Sequence, residues 1–215
     1  MTANQFFVPM IAPGAGRRAH AREETVGENA TELALLELQR PGDMRTRVAL
    51  APALVEAKKL ETILEKAAEL GCAAFLPVVS ARSVRAPKER ADRKLERWNR
   101  IVREAAEQCK GPLVTAVEPP RALKSFLRRP PAGLRLFLSE HGGRPLGEIV
   151  AGAPAAGRPA AVVLLVGPKG GWTGAEEKDI RAAGFTAVTL GRRILRAETA
   201  AVAAAAMIMH FWNEI

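Results

Sequence analysis

Residues 160–166, Ala-Ala-Val-Val-Leu-Leu-Val, leave few folds open to this chain. A strand made of such a run has no polar face to turn to water, so both of its faces must be covered. Strands covered on both faces belong to parallel sheets packed between helices. The run stops at Gly167-Pro-Lys-Gly-Gly-Trp-Thr-Gly174. A helix is predicted from 174 to 183, because Thr173 and Glu176 have the spacing of a capping box and Gly184 follows as a stop. Residues 185–190 read as the next strand. Leu190-Gly-Arg-Arg-Ile-Leu-Arg-Ala-Glu-Thr-Ala200 leads from it into an alanine-rich helix over about 197–212.

The same alternation extends back to residue 56. Leu60, Ile63, Leu64, Ala67 and Ala68 recur at helical spacing, with Gly71 placed to end that helix. Residues 72–79 read as a buried strand, 89–109 as a second helix and 134–138 as another strand. The stripe of the second helix is Leu95, Trp98, Val102, Ala105 and Cys109. The proline-rich stretches 119–131 and 151–159 read as loops, with a short helix near 146–150. Upstream the pattern is thinner. Residues 5–11, 32–38 and 46–51 read as strands, and Gly42-Asp43 as a turn. Residues 12–31 hold almost no large apolar side chain and are expected to be a loop or disordered. The expected organisation is a small N-terminal region over 1–52 and an α/β domain over 53–215.

Composition excludes several classes. With 215 residues, 48% of them apolar, the chain can bury one sizeable core. It contains no run of about 20 apolar residues able to span a bilayer, and no basic-then-apolar leader opens it, so a cytoplasmic location is expected. Cys72 and Cys109 lie far apart without ligand neighbours at zinc spacing, and His20, His141 and His210 are scattered. A metal site is therefore not expected, and both cysteines read as reduced. The net charge of +9 favours a polyanionic partner, although an arginine-rich genome would give the same total. Distribution is more telling. The span 82–110 carries ten cations, among them Arg82, Arg85, Arg93, Arg97 and Arg100, against five acids. Arg93, Arg97 and Arg100 share a helix face opposite the apolar stripe, which makes these five arginines candidates for RNA contact. A solvated helix face laced with i,i+4 pairs such as Glu96–Arg100 is the plainer account.

Gly167-Pro-Lys-Gly-Gly matches neither G-x-G-x-x-G nor the P-loop, and no G-x-S-x-G elbow is present. What remains is a pair of loops between strands and helices. Gly167, Gly170 and Gly171 allow close approach of backbone to a ligand, and the helix start after Ile194 leaves amides free. Two such loops close together point to a small-molecule site built from main chain. The last helix, small on every side, suits close packing on several faces.

These loops, Gly167-Pro-Lys-Gly-Gly-Trp172 followed by Leu190 to Ala200, resemble the signature of the RsmE family, the 16S ribosomal RNA (uracil-N3) methyltransferases of the SPOUT class. Lys66-Ala-Ala-Glu-Leu-Gly71, Arg82-Ser-Val84, Lys94-Leu-Glu-Arg-Trp98, Glu104-Ala-Ala-Glu-Gln108 and Phe6-Phe-Val-Pro9 resemble it further. The resemblance covers about residues 32–215. It implies a SPOUT-type parallel sheet with a C-terminal trefoil knot, an N-terminal PUA-like β domain, S-adenosylmethionine as cofactor, a homodimer, and 16S rRNA or the small ribosomal subunit as partner. The cofactor loops it implies are Leu138 to Glu140, Val166 to Gly171 (with Gly167 and Gly170) and Leu190 to Leu195 (with Gly191 and Ile194); Thr199 is a cofactor contact or a helix cap.

Methylating uridine N3 requires loss of a weakly acidic proton and leaves charge on O2 and O4. A cation would stabilise that charge and a base would take the proton. Arg196 and Glu198 match the family's Arg-x-Glu-Thr. Arg196 takes the charge-stabilising role; Glu198 is the proton acceptor or orients Arg196, though an acid at a helix start is favourable in any case. The chain departs from the family at Lys169, where most members carry Glu, at Val55-Glu-Ala57, which replaces Pro-Lys-Gly, and in a shortened segment between Pro9 and about Thr31. Two other readings follow from those departures: an RNA- or ribosome-binding relative with weakened catalysis, or a SPOUT methyltransferase acting on another RNA.

Overall fold

The computed structural model describes residues 10–11, 18–26, 31–39, 45–84, 91–110, 114–152, 157–212 and 214–215. In chain order the strands and helices are β1 (Met10–Ile11), β2 (Arg18–Val26), β3 (Thr31–Gln39), β4 (Arg47–Pro52), α1 (Ala57–Glu69), β5 (Ala74–Phe75), β6 (Val78–Val79) and α2 (Ala91–Gln108). There follow β7 (Ala116–Val117), β8 (Arg121–Ala122), α3 (Leu123–Arg128), β9 (Leu134–Leu138), β10 (Arg144–Pro145), α4 (Leu146–Ala151), β11 (Ala161–Val166), α5 (Gly174–Ala182), β12 (Thr186–Thr189) and α6 (Ala197–Phe211).

Seven strands form one sheet in the order β10-β12-β9-β11-β4-β5-β7, and every pairing in it is parallel. The apolar run 161–166 is its central strand, between β9 and β4. Its side chains alternate between two cores. Val162, Leu164 and Val166 join Leu136, Val188 and the faces of α1, α2, α4 and α6. Val163 and Leu165 join Phe137, Ala187 and the faces of α3 and α5. Each fully buried Leu, Val or Phe contributes about 1.5–3 kcal/mol, and no other placement of the run would hide both faces. Strand β4 lies inside this sheet, so the last residues of the 1–52 segment are part of the larger core.

Helix α6 crosses the sheet, its N-terminus on the side where the strands end and its C-terminus where they begin. There Glu214 accepts from the Thr46 amide at 2.9 Å and pairs with the Arg158 guanidinium, whose Nε donates to the Thr46 hydroxyl at 2.8 Å. These contacts tie the chain end to the starts of β4 and β11. No helix among the described residues is long and apolar enough to cross a membrane.

Three local expectations are corrected. Residues 18–26, expected within a loop, form β2, antiparallel to β3 and interrupted by two register shifts. The ladder uses main-chain groups alone, so a shortage of apolar side chains does not forbid it. The single strand expected over 72–79 is two short ones, β5 and β6, in different sheets. Pro77 lies between them and has no N–H to donate. The loop expected over 119–131 contains α3, because Leu123 and Phe126, three residues apart, both bury against the second core. The 5–11 strand and the Gly42-Asp43 turn lie largely or wholly outside the described residues.

Cys72 is fully buried between the end of α1 and β5, and burial pushes its thiol up to about 12, whereas Cys109 is half-exposed. In the unfolded chain the thiol ionises near its ordinary value of about 8.5. The folded state keeps the proton longer, so this contribution to stability is complete below about pH 8.5 and is lost as pH rises towards 12. Iodoacetamide at pH 8.5 is expected to label Cys109 and spare Cys72 until denaturant unfolds the chain. Equal labelling of both in the native state would contradict the buried placement.

Candidate active site

Strands β12, β9 and β11 are neighbours, and parallel pairing brings their C-terminal ends together. Ligands of open parallel sheets bind beyond such ends. Three loops leave there: 139–143 after β9, 167–173 after β11, and 190–196 after β12. They border a cleft open to solvent, with about 840 Å3 of empty space counting its open mouth.

The glycine loop forms one wall. Gly170 (φ 87°) and Gly171 (φ 67°) are consecutive left-handed residues, and the Gly171 amide donates to the Pro168 carbonyl at 2.9 Å. That backbone favours glycine at both positions. Behind the loop Trp172 is buried and donates its Nε1–H to the Leu138 carbonyl at 3.1 Å. A Cβ on Gly167 would stand 3.3 Å from the indole ring, so a side chain there would press on it. The loop then enters α5 through the expected capping box: Thr173 Oγ1 accepts from the Glu176 amide at 3.2 Å, and Glu176 accepts from the Thr173 amide at 2.9 Å.

The second wall is the segment from Leu190 to Leu195, closed below by Ala197 and Ala200 of α6. No side chain caps α6, whose N-cap is Arg196, so its first-turn amides keep no local acceptor from that residue. Ile194 is 80% exposed at the mouth. Of the expected cofactor residues, Leu138, Val166, Gly167, Gly171, Leu190, Gly191, Ile194 and Leu195 line the cleft; Gly170 and Thr199 do not. Arg196 is exposed and Glu198 half-buried, both at the α6 start beside lining residues but outside the lining themselves.

The cleft is also lined by polar groups, of which Ser139, Glu140, Arg192 and Arg193 fall within the expected loops and Glu177 does not. Ser139 donates its hydroxyl to Glu177 at 3.1 Å and accepts from the His141 amide at 3.1 Å. Glu140 stands against Gly171, its carboxyl carbon 3.4 Å from where a Cβ would be. Arg192 and Arg193 complete the rim. The sequence carries no local signal for Glu177, which reaches the cleft because α5 starts beside β9.

Lys169 is exposed and is not part of the lining. It lies on the side of Glu56, whose carboxyl is held below its ordinary value by a backbone hydrogen bond first, then by Lys59 at 3.1 Å, with Lys169 contributing.

Helix α2 contributes nothing to the cleft. Trp98 and Val102 bury its apolar face, and Arg93, Arg97 and Arg100 are exposed. Arg97 is bound in a fork by Glu61 on α1 at 2.6 and 2.8 Å, which raises its guanidinium pKa. Arg100 lies 3.8 Å from Glu104, a weak exposed pair. Arg82 donates to the Gly170 carbonyl, and Arg85 is outside the described residues. No group of three or more His, Cys, Asp or Glu among the described residues is placed to hold a metal ion.

Comparison with known proteins agrees with the geometry. A family profile described as an RNA methyltransferase domain matches residues 43–209. Ribosomal RNA small subunit methyltransferase E of Synechocystis is 34% identical over 201 residues, covering 93% of this chain and 64% of that protein. The protein of the same name from Bacillus subtilis is 34% identical over 172 residues, covering 78% and 67%. The chain thus spans about two thirds of the length of these relatives. A crystal structure of ribosomal RNA small subunit methyltransferase E from Neisseria gonorrhoeae bound to S-adenosyl methionine superposes with a TM-score of 0.78 at 33% identity, covering 93% of this chain and 81% of that one. With a parallel sheet, a family profile over most of its length and relatives of one name, the chain belongs to the ribosomal RNA small subunit methyltransferase E, or RsmE, family.

Proposed function

We propose that this chain transfers a methyl group from S-adenosylmethionine to N3 of a uridine in 16S ribosomal RNA. The observation that carries the reading is the cleft at the ends of β12, β9 and β11, walled by a glycine loop with left-handed Gly171 in its lining and by an uncapped helix start. The residues present fit the cofactor. Backbone groups of 167–171 and 190–195 suit the adenine and ribose, Leu138, Val166 and Leu195 give apolar walls, and the carboxylates of Glu140 and Glu177 suit a cationic ligand. The related protein from Neisseria gonorrhoeae binds the same molecule.

When bound, the cofactor supplies an electrophilic methyl on a sulfonium, which leaves as a neutral thioether. The chain's own part is to hold the uracil and manage its proton. N3 gives up that proton as the N3–carbon bond forms. Arg196, beside the cleft mouth, stabilises the negative charge that develops on O2 and O4, and Glu198 accepts the proton or orients Arg196. N3 is on the pairing edge, so the target must be unpaired or drawn out first. Flanking phosphates would meet Arg192 and Arg193 at the rim and the exposed cations of α2, Arg93 and Arg100 foremost, with the Arg97 charge largely met by Glu61.

The finer architecture is part of the same proposal. The loops at 167–173 and 190–196 would form a SPOUT trefoil knot, and the part of the 1–52 segment ahead of β4 a shortened PUA-like RNA-binding region beside the methyltransferase domain, to which β4 itself belongs. A homodimer would cover the exposed Met207, Phe211 and Ile215, which follow one another at four-residue spacing along and beyond α6. The small ribosomal subunit in the cytoplasm would be the place of action.

Isothermal calorimetry with S-adenosylmethionine tests the core of this reading, followed by methyl incorporation into small subunits from cells lacking the gene. Binding at micromolar strength and one new N3-methyluridine are expected. A native chain without detectable binding would remove the enzyme reading and leave an RNA-binding relative.

A further inference from the structure

Glycine loops hold a shape only when something outside them does the holding, since glycine has the most backbone freedom to lose. Three ties secure the loop 167–173. Two come from within its own neighbourhood: the Trp172 indole bond to Leu138 and the capping box at Thr173. The third comes from a distant part of the chain, the turn 80–84 that follows β6.

That turn is itself cross-linked by hydrogen bonds. The Ser80 amide donates to Ser83 Oγ at 3.0 Å, the Ser83 amide to the Ser80 carbonyl at 3.2 Å, and the Val84 amide to the Leu54 carbonyl at 3.1 Å. Two groups reach from it to the glycine loop. The Ala81 amide donates to Glu176 Oε1 at 2.7 Å, while the other oxygen of that carboxylate holds the Thr173 amide at 2.9 Å. Beside it, Arg82 Nη1 donates to the Gly170 carbonyl. The Arg82 stem runs along Gly170, its Cδ 3.9 Å from the position a Cβ would take. Gly170 does not line the cleft, but the next residue, Gly171, does.

We infer that Arg82 is a positioning residue for the cofactor wall: by holding the Gly170 carbonyl it keeps Gly171 and Trp172 in the arrangement that forms the cleft. The inference rests on the cofactor reading given above and assigns Arg82 to the protein instead of to an RNA phosphate. A guanidinium that donates one N–H to a backbone carbonyl keeps its charge and its remaining N–H groups, but the carbonyl fixes where it stands, and a phosphate contact would compete with that placement. A charge-assisted hydrogen bond of this kind, at an exposed position, is expected to change affinity by about three- to tenfold when removed.

The test uses the full-length chain and its Arg82→Ala variant, in three measurements. Hydrogen exchange of the peptide covering 167–173, without any ligand, reads the loop directly. Calorimetry reads the affinity for S-adenosylmethionine. Binding of a small-subunit RNA fragment over a range of salt reads phosphate contacts. For Arg82→Ala, faster exchange in 167–173, about three- to tenfold weaker cofactor binding and an unchanged salt slope are expected. Glu176→Gln, which weakens the neighbouring tie, should loosen the same peptide. If Arg82→Ala leaves exchange and cofactor affinity unchanged but lowers the salt slope by about one, the arginine is a phosphate contact and the inference is overturned. Should the native chain bind no S-adenosylmethionine while Arg82→Ala still loosens 167–173, the cofactor reading fails and the strut stands.

Discussion

An Arg196→Ala variant is expected to lose methyl transfer by about 10²–10³-fold, equivalent to ~2.7–4 kcal/mol, the loss usual for removing one group aimed at developing negative charge. Its affinity for S-adenosylmethionine should stay within about threefold of the native value. The split follows from position. Arg196 is the N-cap of α6, exposed, between Leu195 and Ala197, which line the cleft while Arg196 does not. A group so placed touches what enters the mouth and leaves what already fills the interior. Single-turnover transfer at saturating cofactor isolates the step from cofactor binding. Arg196→Lys should recover part of the rate, because charge is restored without the planar fork. Glu198→Gln separates its two readings: a proton acceptor shows a rate loss that rising pH relieves, and an orienting group shows a loss that pH does not touch. Tenfold weaker cofactor binding by Arg196→Ala with an intact rate would move Arg196 into the cofactor site and leave the charge-stabilising role empty.

The parts of the fold that the sequence foretold are those where one physical demand dominates. The run 161–166 reads as a parallel strand covered on both faces, and β9 before it and α5, β12 and α6 after it stand where their own patterns put them. The capping box at Thr173 was readable because its two bonds depend on spacing alone. The misreadings share a different cause. β2 is held by a main-chain ladder that leaves no imprint on side-chain polarity, and α3 follows two prolines that dominate the local signal although Leu123 and Phe126 bury behind them. In the candidate site the glycines were legible, since their loops follow directly on strand ends. Glu177 was not, because it meets Ser139 only once β11 and β9 are neighbours, and sheet order is written in no single stretch of chain. Charge counting likewise grouped Arg82 with Arg93 and Arg97. Their partners differ: the Gly170 carbonyl for Arg82, a carboxylate for Arg97, while Arg93 stands exposed on α2.

Gly171→Val is expected to weaken S-adenosylmethionine binding by about 100-fold while the chain stays folded. Gly171 is buried at φ 67°, where a β-branched residue is a severe outlier. The strain is about 1–3 kcal/mol, roughly 5–150-fold if the loop can escape it only by giving up the shape that binds. A second cost adds to the first. The new Cβ would stand 3.4 Å from the Glu140 carboxylate, with further methyls entering the cleft that Gly171 lines. The sheet beneath is undisturbed, so melting should fall by only a few degrees for a domain of this size. Gly170→Val provides the contrast. Its φ of 87° carries similar strain, but the added Cβ meets only the Arg82 stem at 3.9 Å and Gly170 lies outside the lining. It should therefore bind the cofactor more tightly than Gly171→Val at a similar melting temperature. Equal cofactor affinity for Gly171→Val and the native chain, measured by calorimetry, would mean that the wall formed by 167–173 is not where the ligand sits.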